Sequence, residues 1–509
     1  MTALATKSPL DGKKLEEIDA TPEADIAKIV ADARAAQPAW AALGSAARAE
    51  TLLRVKDRLL DRAEKIGKTL HEEIGKPEGE AMLAEVLPSA DVFDFWCKSI
   101  EEMLEPTEVE LDALSYPGKS GSISREPRGV VAVIMPWNFP VALPLRTIVP
   151  ALLAGNAIVF KPSEISPRAG KLVAEFFDEV LPKGLLGLVQ GGGDAGAKLC
   201  ESDVDLVVFT GSVRSGRKVA HACAERLIPC SLELGGKDAA IVLDDANLER
   251  AARGVVWGAM SNAGQNCAAI ERVYVDKKIA DEFTKRVTEI TKSLRVGDDV
   301  GPLATEAQRD IVKSHVEDAK SKDGSKILAG GSALEEGYGF EPTVVRVTTD
   351  DTSLMRDETF GPVLPIRVVS GEDEAVKLAN DSKYGLTASV WTKDFDRGRR
   401  VGEKLRAGVV TINNHAFTGA LPQAPWSGYG ETGYGITNSP LALDAFTRPR
   451  FVLVDRSRGA RELWWYPYSP ALKAIALAFA KIRSKTTPIG ARLGAVFALV
   501  SAFVKRMRE

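Results

Sequence analysis

Cysteine is scarce in this chain of 509 residues, which carries only Cys97, Cys200, Cys223, Cys230 and Cys267. The odd count and the lack of any Cys-x-x-Cys pair argue against a disulfide framework and a zinc knuckle, and a reducing, cytoplasmic setting fits best. No apolar leader is visible either: Lys7, Asp11, Lys13 and Lys14 occupy the stretch where a secretory signal would carry its apolar core. No apolar run reaches the ~20 residues of a transmembrane helix. The longest candidate lies at 493–504. Fixed-period repeats and low-complexity tracts are also missing. With 45% hydrophobic and 27% charged residues, collagen-like, mucin-like and wholly disordered classes are excluded. The length predicts two to four domains.

The net charge of −4 conceals an asymmetry. Residues 456–509 hold 11 basic and 2 acidic side chains, a net +9, so residues 1–455 carry −13. An acidic body with a basic tail points to contact with a polyanion or a membrane surface. In the tail, Trp464, Trp465, Tyr466 and Tyr468 crowd together ahead of Ser469-Pro470, an N-cap followed by Pro at the first helical position. Leu472, Ile475, Phe479 and Ile482 then fall on one helical face. A second helix opens at Thr487-Pro488, with Leu493, Val496, Val500 and Phe503 on one face and cations at its C-terminus. The body starts with helical periodicity at 24–42 and 46–73. A polar, Gly/Ser-punctuated stretch follows at 106–128. Strand-like runs at 130–134, 157–160, 186–190, 206–209 and 239–243 then alternate with helical segments, which predicts an α/β fold with a parallel sheet covered on both faces.

Three segments carry candidate chemistry. Gly191-x-Gly193-x-x-Gly196 matches the dinucleotide fingerprint between a strand and a helix, a pattern that ordinary strand–helix turns also produce. Gly211-Ser-Val-Arg-Ser-Gly216 approaches a P-loop, but Arg217-Lys218 replaces the required Lys-Ser/Thr, so a nucleoside triphosphatase is excluded. Ser212 still stands at a helix N-terminus, where backbone N–H groups suit a phosphate. Cys267, in Asn262-Ala-Gly-Gln-Asn-Cys267, has the small polar setting of an accessible nucleophile, whereas the other four cysteines read as packing residues. No histidine adjoins it in sequence, so a Cys–His dyad would need a tertiary contact. Glu233 lies between two leucines. Read alone, it is either a desolvated base or a strand-edge carboxylate facing water.

Together the segments resemble the aldehyde dehydrogenase superfamily over residues 20–455. Six motifs stand in that family's order: Pro136-Trp-Asn-Phe-Pro140, Lys161-Pro-Ser-Glu164, Phe209-Thr-Gly-Ser212, Glu233-Leu-Gly-Gly-Lys237, Gly264-Gln-Asn-Cys267 and Glu358-Thr-Phe-Gly-Pro362. The resemblance implies a Rossmann-type cofactor domain (1–107 and 127–235), an α/β catalytic domain (236–445), a β oligomerisation arm (108–126 with 446–456) and, beyond the family core, a helical tail (457–509). It implies aldehyde oxidation with NAD, NADP being the alternative, in a homodimer or homotetramer. Cys267 would be the nucleophile, Asn138 an oxyanion donor and Glu233 the base that activates water. Lys161, Ser163 and Glu164 would face the adenosine ribose. Gly211 and Ser212 would face the pyrophosphate, Glu358 the nicotinamide ribose and Phe360 the nicotinamide side, and Trp137 would line the cofactor cleft. The Gly191–Gly196 turn would then be structural. No metal and no nucleic acid are implied.

Two departures stand out. Where many members carry a lysine after the Trp-Asn pair, this chain has Thr147, preceded by Arg146. The late glycine-rich stretch reads Pro425-Trp-Ser-Gly-Tyr-Gly-Glu-Thr-Gly433, with Trp426, Gly430 and Thr432 at positions where relatives carry Phe, Lys and Ser. The first leaves no lysine for the proton relay attributed to that position, and the second, which borders the substrate mouth in relatives, bears on substrate choice. A CoA-acylating enzyme and a non-catalytic scaffold are the competing readings. Glu233 opposes the first, and the joint presence of Cys267, Glu233 and Asn138 opposes the second. For the tail, a foot at the inner membrane face competes with packing on the protein itself.

Overall fold

The computed structural model describes residues 3–113, 115–415 and 417–508. The chain divides into two units, residues 1–105 with 124–450 and residues 106–123 with 451–509.

Among the described residues the larger unit contains two large sheets, each with its own core, and a small antiparallel pair, Ala3–Leu4 with Ile18–Asp19. The first has five parallel strands in the order Leu186–Leu188, Ala157–Lys161, Val130–Ile134, Leu206–Thr210, Cys230–Glu233. Every residue of Val130–Ile134 and Ala157–Lys161 is buried, because helices cover both faces. That is why these strands read as unbroken apolar runs rather than as alternation. The chain starts at the centre of the sheet and winds one way through Ala157–Lys161 and Leu186–Leu188. It then returns to the other side of Val130–Ile134. The switch point between Val130–Ile134 and Leu206–Thr210 is where open α/β sheets bind ligands, at the carboxyl ends of the strands. Ahead of this sheet come the helices Glu23–Ala42, Ser45–Asp61, Ala63–Ile74 and Leu87–Leu104. The single helix expected at 46–73 is broken at Arg62 (φ −110°, ψ 17°). Buried Leu52, Val55, Leu59, Ile66, Leu70 and Ile74 stay in phase across the break, so periodicity alone does not reveal it.

The second sheet has seven strands in the order Lys326–Ala329, Thr343–Val347, Val363–Val369, Ile270–Asp276, Asp238–Val242, Thr387–Trp391, Val409–Ile412. All are parallel except the edge strand Lys326–Ala329.

The smaller unit is built on a three-stranded sheet ordered Thr447–Asp455, Lys119–Pro127, Thr107–Val109. At Gly121 a Cβ would fall 2.6 Å from the Phe451 ring, so a larger residue there would push the strands apart. Helices Pro470–Arg483 and Ile489–Arg508 pack on each other, and Ser469 caps the first through an Oγ that accepts the Leu472 N–H at 3.3 Å. The seam is lined mainly by small residues. Ala471, Ile475, Ala478, Ala495 and Ala502 are buried, whereas Leu493, Val496, Val500 and Phe503 are 59%, 43%, 59% and 46% exposed. Alanines let the two axes approach closely, which turns the long apolar side chains of the last helix outward. Among the described residues no helix is long and apolar enough to cross a membrane.

Candidate active site

Cys267 follows helix Leu248–Met260 and precedes strand Ile270–Asp276. The connection passes through Asn262 and Ala263, both left-handed at φ 54° and 55°, a conformation that costs non-glycine residues energy and persists where the surroundings enforce it. At Gly264 (φ +69°) a Cβ would fall 2.0 Å from the Gly361 carbonyl oxygen, so only glycine fits. Amides lock the loop. Asn262 Nδ2 donates to the carbonyls of Asn138 and Gln265, each at 2.9 Å, and Asn138 Nδ2 donates to the Gln265 carbonyl at 3.1 Å. Gln265 Oε1 accepts the Ala304 N–H at 2.8 Å. Asn138 and the nucleophile loop, 129 residues apart in sequence at Cys267, are thus held together.

Cys267 lines a cavity of about 620 Å³ whose walls include Phe139, Leu143, Val256, Met260 and Trp426. Leu83 and Trp257, 71% and 51% exposed, form an apolar lip. Glu233 closes strand Cys230–Glu233 and lines the same cavity. It is buried, and its Oε1 has no hydrogen-bond partner among the described residues. Burial raises its carboxyl to about 7, opposed by a hydrogen bond with Thr437 and by the Arg146 guanidinium. A water-facing strand-edge carboxylate is therefore ruled out. Burial, followed by the charges of Asp238, Glu233 and Glu358, pushes the Cys267 thiol up, and Arg146 pulls it down. Arg146, on helix Ala142–Leu153, also lines the cavity, and its Nε is buried without a partner among the described residues. The sequence marks it only as the neighbour of Thr147.

The remaining expected positions gather along the carboxyl edge of the five-stranded sheet. Lys161 ends its strand, buried, with Nζ donating to the Pro162 carbonyl at 3.2 Å and standing 3.9 Å from Glu164. Burial lowers its ammonium. Ser163 Oγ accepts the Ile165 N–H at 3.2 Å. Beyond strand Leu206–Thr210, Gly211 donates its N–H to the Glu233 carbonyl at 3.1 Å, and Ser212 caps helix Val213–Glu225. Trp137 follows strand Val130–Ile134, and its ring meets Phe360 edge to face at 5.7 Å. Glu358 accepts the Gly236 N–H at 3.1 Å, and burial with the nearby Glu271 raises it to about 8. An amine and a carboxylate near one strand end, the N-terminus of helix Val213–Glu225 beyond another and a desolvated carboxylate further on form a set that suits a dinucleotide. At Gly196 a Cβ would stand in ordinary contact with the Lys161 side chain, at 3.5 Å, so the position does not require glycine.

Sequence reasoning missed two buried ion pairs. Lys76 pairs with Glu85 and donates to the Asn138 carbonyl at 2.9 Å, while Glu85 Oε2 accepts the N–H groups of Val141 and Ala142 at 3.1 and 2.8 Å. These contacts fix the Asn138 turn. The Lys237–Glu271 pair does the same for the Glu358 loop, Glu271 accepting the N–H groups of Thr359 and Phe360, each at 2.8 Å. Only an alternation of charge with apolar residues in these segments hinted at them. Among the described residues no histidine bonds the Cys267 sulfur: His415 Nε2 lies 2.6 Å from the Ala268 carbonyl, His315 Nδ1 3.1 Å from Thr359 Oγ1, His71 Nδ1 3.2 Å from the Lys76 carbonyl, and His221 stands by Glu225. Among the described residues no cluster of ligating side chains could hold a metal ion.

A thiol and a buried carboxylate thus share a cavity beside the switch point of a doubly wound sheet, the layout of a dinucleotide-linked enzyme with a cysteine nucleophile. Comparison with known proteins makes the class specific. The profile of the Aldehyde dehydrogenase family matches residues 2–452. A 4,4'-diapolycopene aldehyde oxidase from Methylomonas sp is 38% identical over 474 residues, covering 92% of this chain and 89% of that protein. A Mycobacterium ulcerans protein, provisionally named an NADP(+) succinate-semialdehyde dehydrogenase 2, is 36% identical over 455 residues, covering 87% of each. The structure of a Mycobacterium tuberculosis aldehyde dehydrogenase complexed with NAD+ superposes with a TM-score of 0.84 at 33% identity, covering 89% of this chain and 94% of that one. The chain belongs to the aldehyde dehydrogenase family, and its reaction class is oxidation of an aldehyde to a carboxylic acid with a nicotinamide dinucleotide as hydride acceptor.

Proposed function

We propose that Cys267 attacks the aldehyde carbon and that the side chain of Asn138, with the Cys267 backbone N–H, holds the developing alkoxide. The thiohemiacetal loses hydride and becomes a thioester on Cys267. Bound NAD would supply the hydride acceptor. Trp137 and Phe360 position its nicotinamide end, Glu358 its ribose, Gly211 and Ser212 its pyrophosphate, and Lys161, Ser163 and Glu164 its adenosine ribose. Glu233 then removes a proton from water, which hydrolyses the thioester. The observation that carries this reading is the burial of Glu233 in the cavity of Cys267, with a carboxyl near 7. A carboxylate at position 164 disfavours a 2′-phosphate, so NAD is preferred to NADP. The functional division we propose is a cofactor domain (1–107 and 127–235), a catalytic domain (236–445), an oligomerisation arm (108–126 with 446–456) serving a homodimer or homotetramer, and a tail (457–509).

For the substrate, the apolar walls and the lip of Leu83 and Trp257 favour a long apolar aldehyde. The outward apolar face and basic flanks of the tail support a peripheral foot on an anionic membrane from which such an aldehyde is drawn. A relative named for 4,4'-diapolycopene aldehyde agrees with this. One observation supports a second reading: the unpartnered Arg146 would pair with the carboxylate of a semialdehyde. NAD reduction measured across aldehydes of rising chain length, with a semialdehyde alongside, separates the two. The first reading expects kcat/KM to climb with chain length. If Arg146→Met abolishes turnover of the semialdehyde and spares the alkanals, the second holds. Failure to reduce NAD with any aldehyde would overturn both.

A further inference from the structure

Glu233 and Cys267 stand on different sheets. Glu233 ends the edge strand of the five-stranded sheet, and Cys267 leads into strand Ile270–Asp276 of the seven-stranded one. Directly after Glu233 the chain crosses between the sheets through Leu234-Gly-Gly-Lys237 and enters strand Asp238–Val242. Crowding forces both glycines: a Cβ at Gly235 would fall 2.3 Å from a Glu358 carboxylate oxygen, and one at Gly236 would fall 2.5 Å from the Cys267 carbonyl oxygen. A crossing built on two glycines is conformationally soft, so its geometry must be held from outside.

The support comes from the glycine-rich segment at 425–433 and the residues just after it. Gly433 bridges Glu233, the Leu234 N–H donates to the Thr432 carbonyl at 2.9 Å, and the N–H groups of Tyr434 and Gly435 donate to the Leu232 carbonyl at 3.1 and 2.8 Å. Thr432 also reaches toward the other sheet. Its buried hydroxyl donates to the Gly235 carbonyl at 2.9 Å and accepts the Gly385 N–H at 3.0 Å, two residues before strand Thr387–Trp391. Beside it, the N–H groups of Tyr429 and Glu431 donate to the carbonyls of Gly385 and Lys383 at 3.0 and 2.8 Å. One hydroxyl therefore joins the peptide beyond Glu233 to the entrance of a strand in the sheet of Cys267. Its β-branched side chain is stiff about χ1. A Cβ at Gly428 would fall 2.2 Å from the Thr432 Cγ2, so glycine there makes room for the methyl group.

We propose that Thr432 is a positioning residue that fixes the separation of Glu233 and Cys267 and thereby governs hydrolysis of the thioester. The inference rests on Glu233 being the base of that step. Hydride transfer needs Cys267, the aldehyde and the nicotinamide in register, and the Glu358 loop keeps its own support from Glu271. Hydrolysis needs one thing more, a water held between the Glu233 carboxylate and the thioester carbon. A misplacement of ~1 Å in such an arrangement costs on the order of 100-fold. Loosening the joint at Thr432 therefore falls on the second half of the reaction.

The test compares the full-length parent with its Thr432→Val, Thr432→Ser and Glu233→Gln variants, each mixed rapidly with NAD and hexanal. Absorbance gives the rate of the first NADH formed, and intact mass of quenched samples gives the lifetime of the acyl group on Cys267. Valine keeps the shape of the side chain and removes both hydrogen bonds, whereas serine keeps both. The Val protein is expected to form its first NADH within about a factor of two of the parent rate and to hold the acyl group on the order of 100 times longer. The Ser protein should hydrolyse it close to the parent rate. Hydrolysis at the parent rate in the Val protein, equal slowing of both phases, or a Ser protein as slow as the Val protein overturns the proposal. Slow hydrolysis in Glu233→Gln beside normal hydrolysis in Thr432→Val strikes Thr432 alone. Parent-rate hydrolysis in Glu233→Gln removes the base assignment and this proposal with it. Should the Val protein not fold, Thr432→Ala, which also lacks both hydrogen bonds, is measured against the same outcomes.

Discussion

The two units place their large apolar side chains in opposite ways. In the larger one, Trp40, Trp96, Trp391, Phe160, Phe176 and Phe177 are fully buried, as a core that excludes water demands. In the smaller one, Trp465, Tyr466, Phe497 and Met507 are 54%, 78%, 78% and 71% exposed, while alanines occupy the helix seam. One of its most buried groups is a cation: Arg506 is 2% exposed and donates to the carbonyls of Leu463, Trp465 and Pro467, at 3.3, 2.6 and 2.8 Å, tying the aromatic loop to the last helix. Exposed apolar clusters of this kind mark surfaces that bind something. Charge is divided too, with a net −13 over residues 1–455 and +9 over residues 456–509, most of the smaller unit. The body is built to enclose chemistry, and the tail is built to present a surface.

If that contrast is right, changes in the body alter the reaction and changes in the tail alter where the enzyme goes. The largest effect belongs to Cys267→Ala. Removing a nucleophile costs on the order of 10⁶ in kcat, so NAD reduction should vanish while the thermal transition stays put. Measurable turnover would place the nucleophile elsewhere. Next comes Glu233→Gln, expected to slow turnover by ~10²–10⁴ and to leave a thioester on Cys267 that intact mass can detect. The pH dependence has a definite sign. Below about 7 the Glu233 carboxyl is protonated and cannot take a proton from water. Deacylation should therefore rise with pH through that value, and the step should disappear in the Gln variant.

A third change tests the body's buried charges. Glu85→Ala leaves the Lys76 ammonium, itself 2% exposed, without its partner and frees the Val141 and Ala142 N–H groups. Breaking a buried pair from one side costs ~3–5 kcal/mol, and chemical denaturation should show a loss of that size. A shift below ~1 kcal/mol would mean that water solvates Lys76 there.

How far these features were legible in the sequence depends on the range of the forces involved. Buried parallel strands such as Val130–Ile134 declare themselves as unbroken runs of β-branched residues. The motifs around Asn138, Glu233 and Cys267 declare themselves because backbone geometry dictates their glycines and amides, as at Gly264. Pairings such as Lys76–Glu85 and Lys237–Glu271 join residues whose closeness only the tertiary fold determines, and Arg146 became a cavity residue for the same reason. In the tail, periodicity showed that Leu493, Val496, Val500 and Phe503 share a face, but not that the neighbouring helix leaves this face uncovered. Alanine spacing at 471, 478, 495 and 502 was the signal for the seam, and it is weak because alanine suits any helical position.

The smallest intrinsic change with an informative outcome is on that outward face. Phe497→Ser with Val500→Ser removes two exposed side chains, 78% and 59% accessible, so the folded protein loses little packing and its transition should move by no more than the ~0.5 kcal/mol typical of surface changes. If the face enters a lipid surface, each side chain forfeits ~1.5–3 kcal/mol of burial, and binding to vesicles containing anionic lipid should weaken on the order of 100-fold or more. Turnover of a short, water-soluble aldehyde should stay within about a factor of two of the parent, because neither residue lines the cavity of Cys267. Added salt separates the two contributions: it screens Lys505 and Arg508 but not the apolar term. If both proteins bind vesicles equally and lose binding together at high salt, the basic residues alone act, and the outward apolar face serves contact with protein instead.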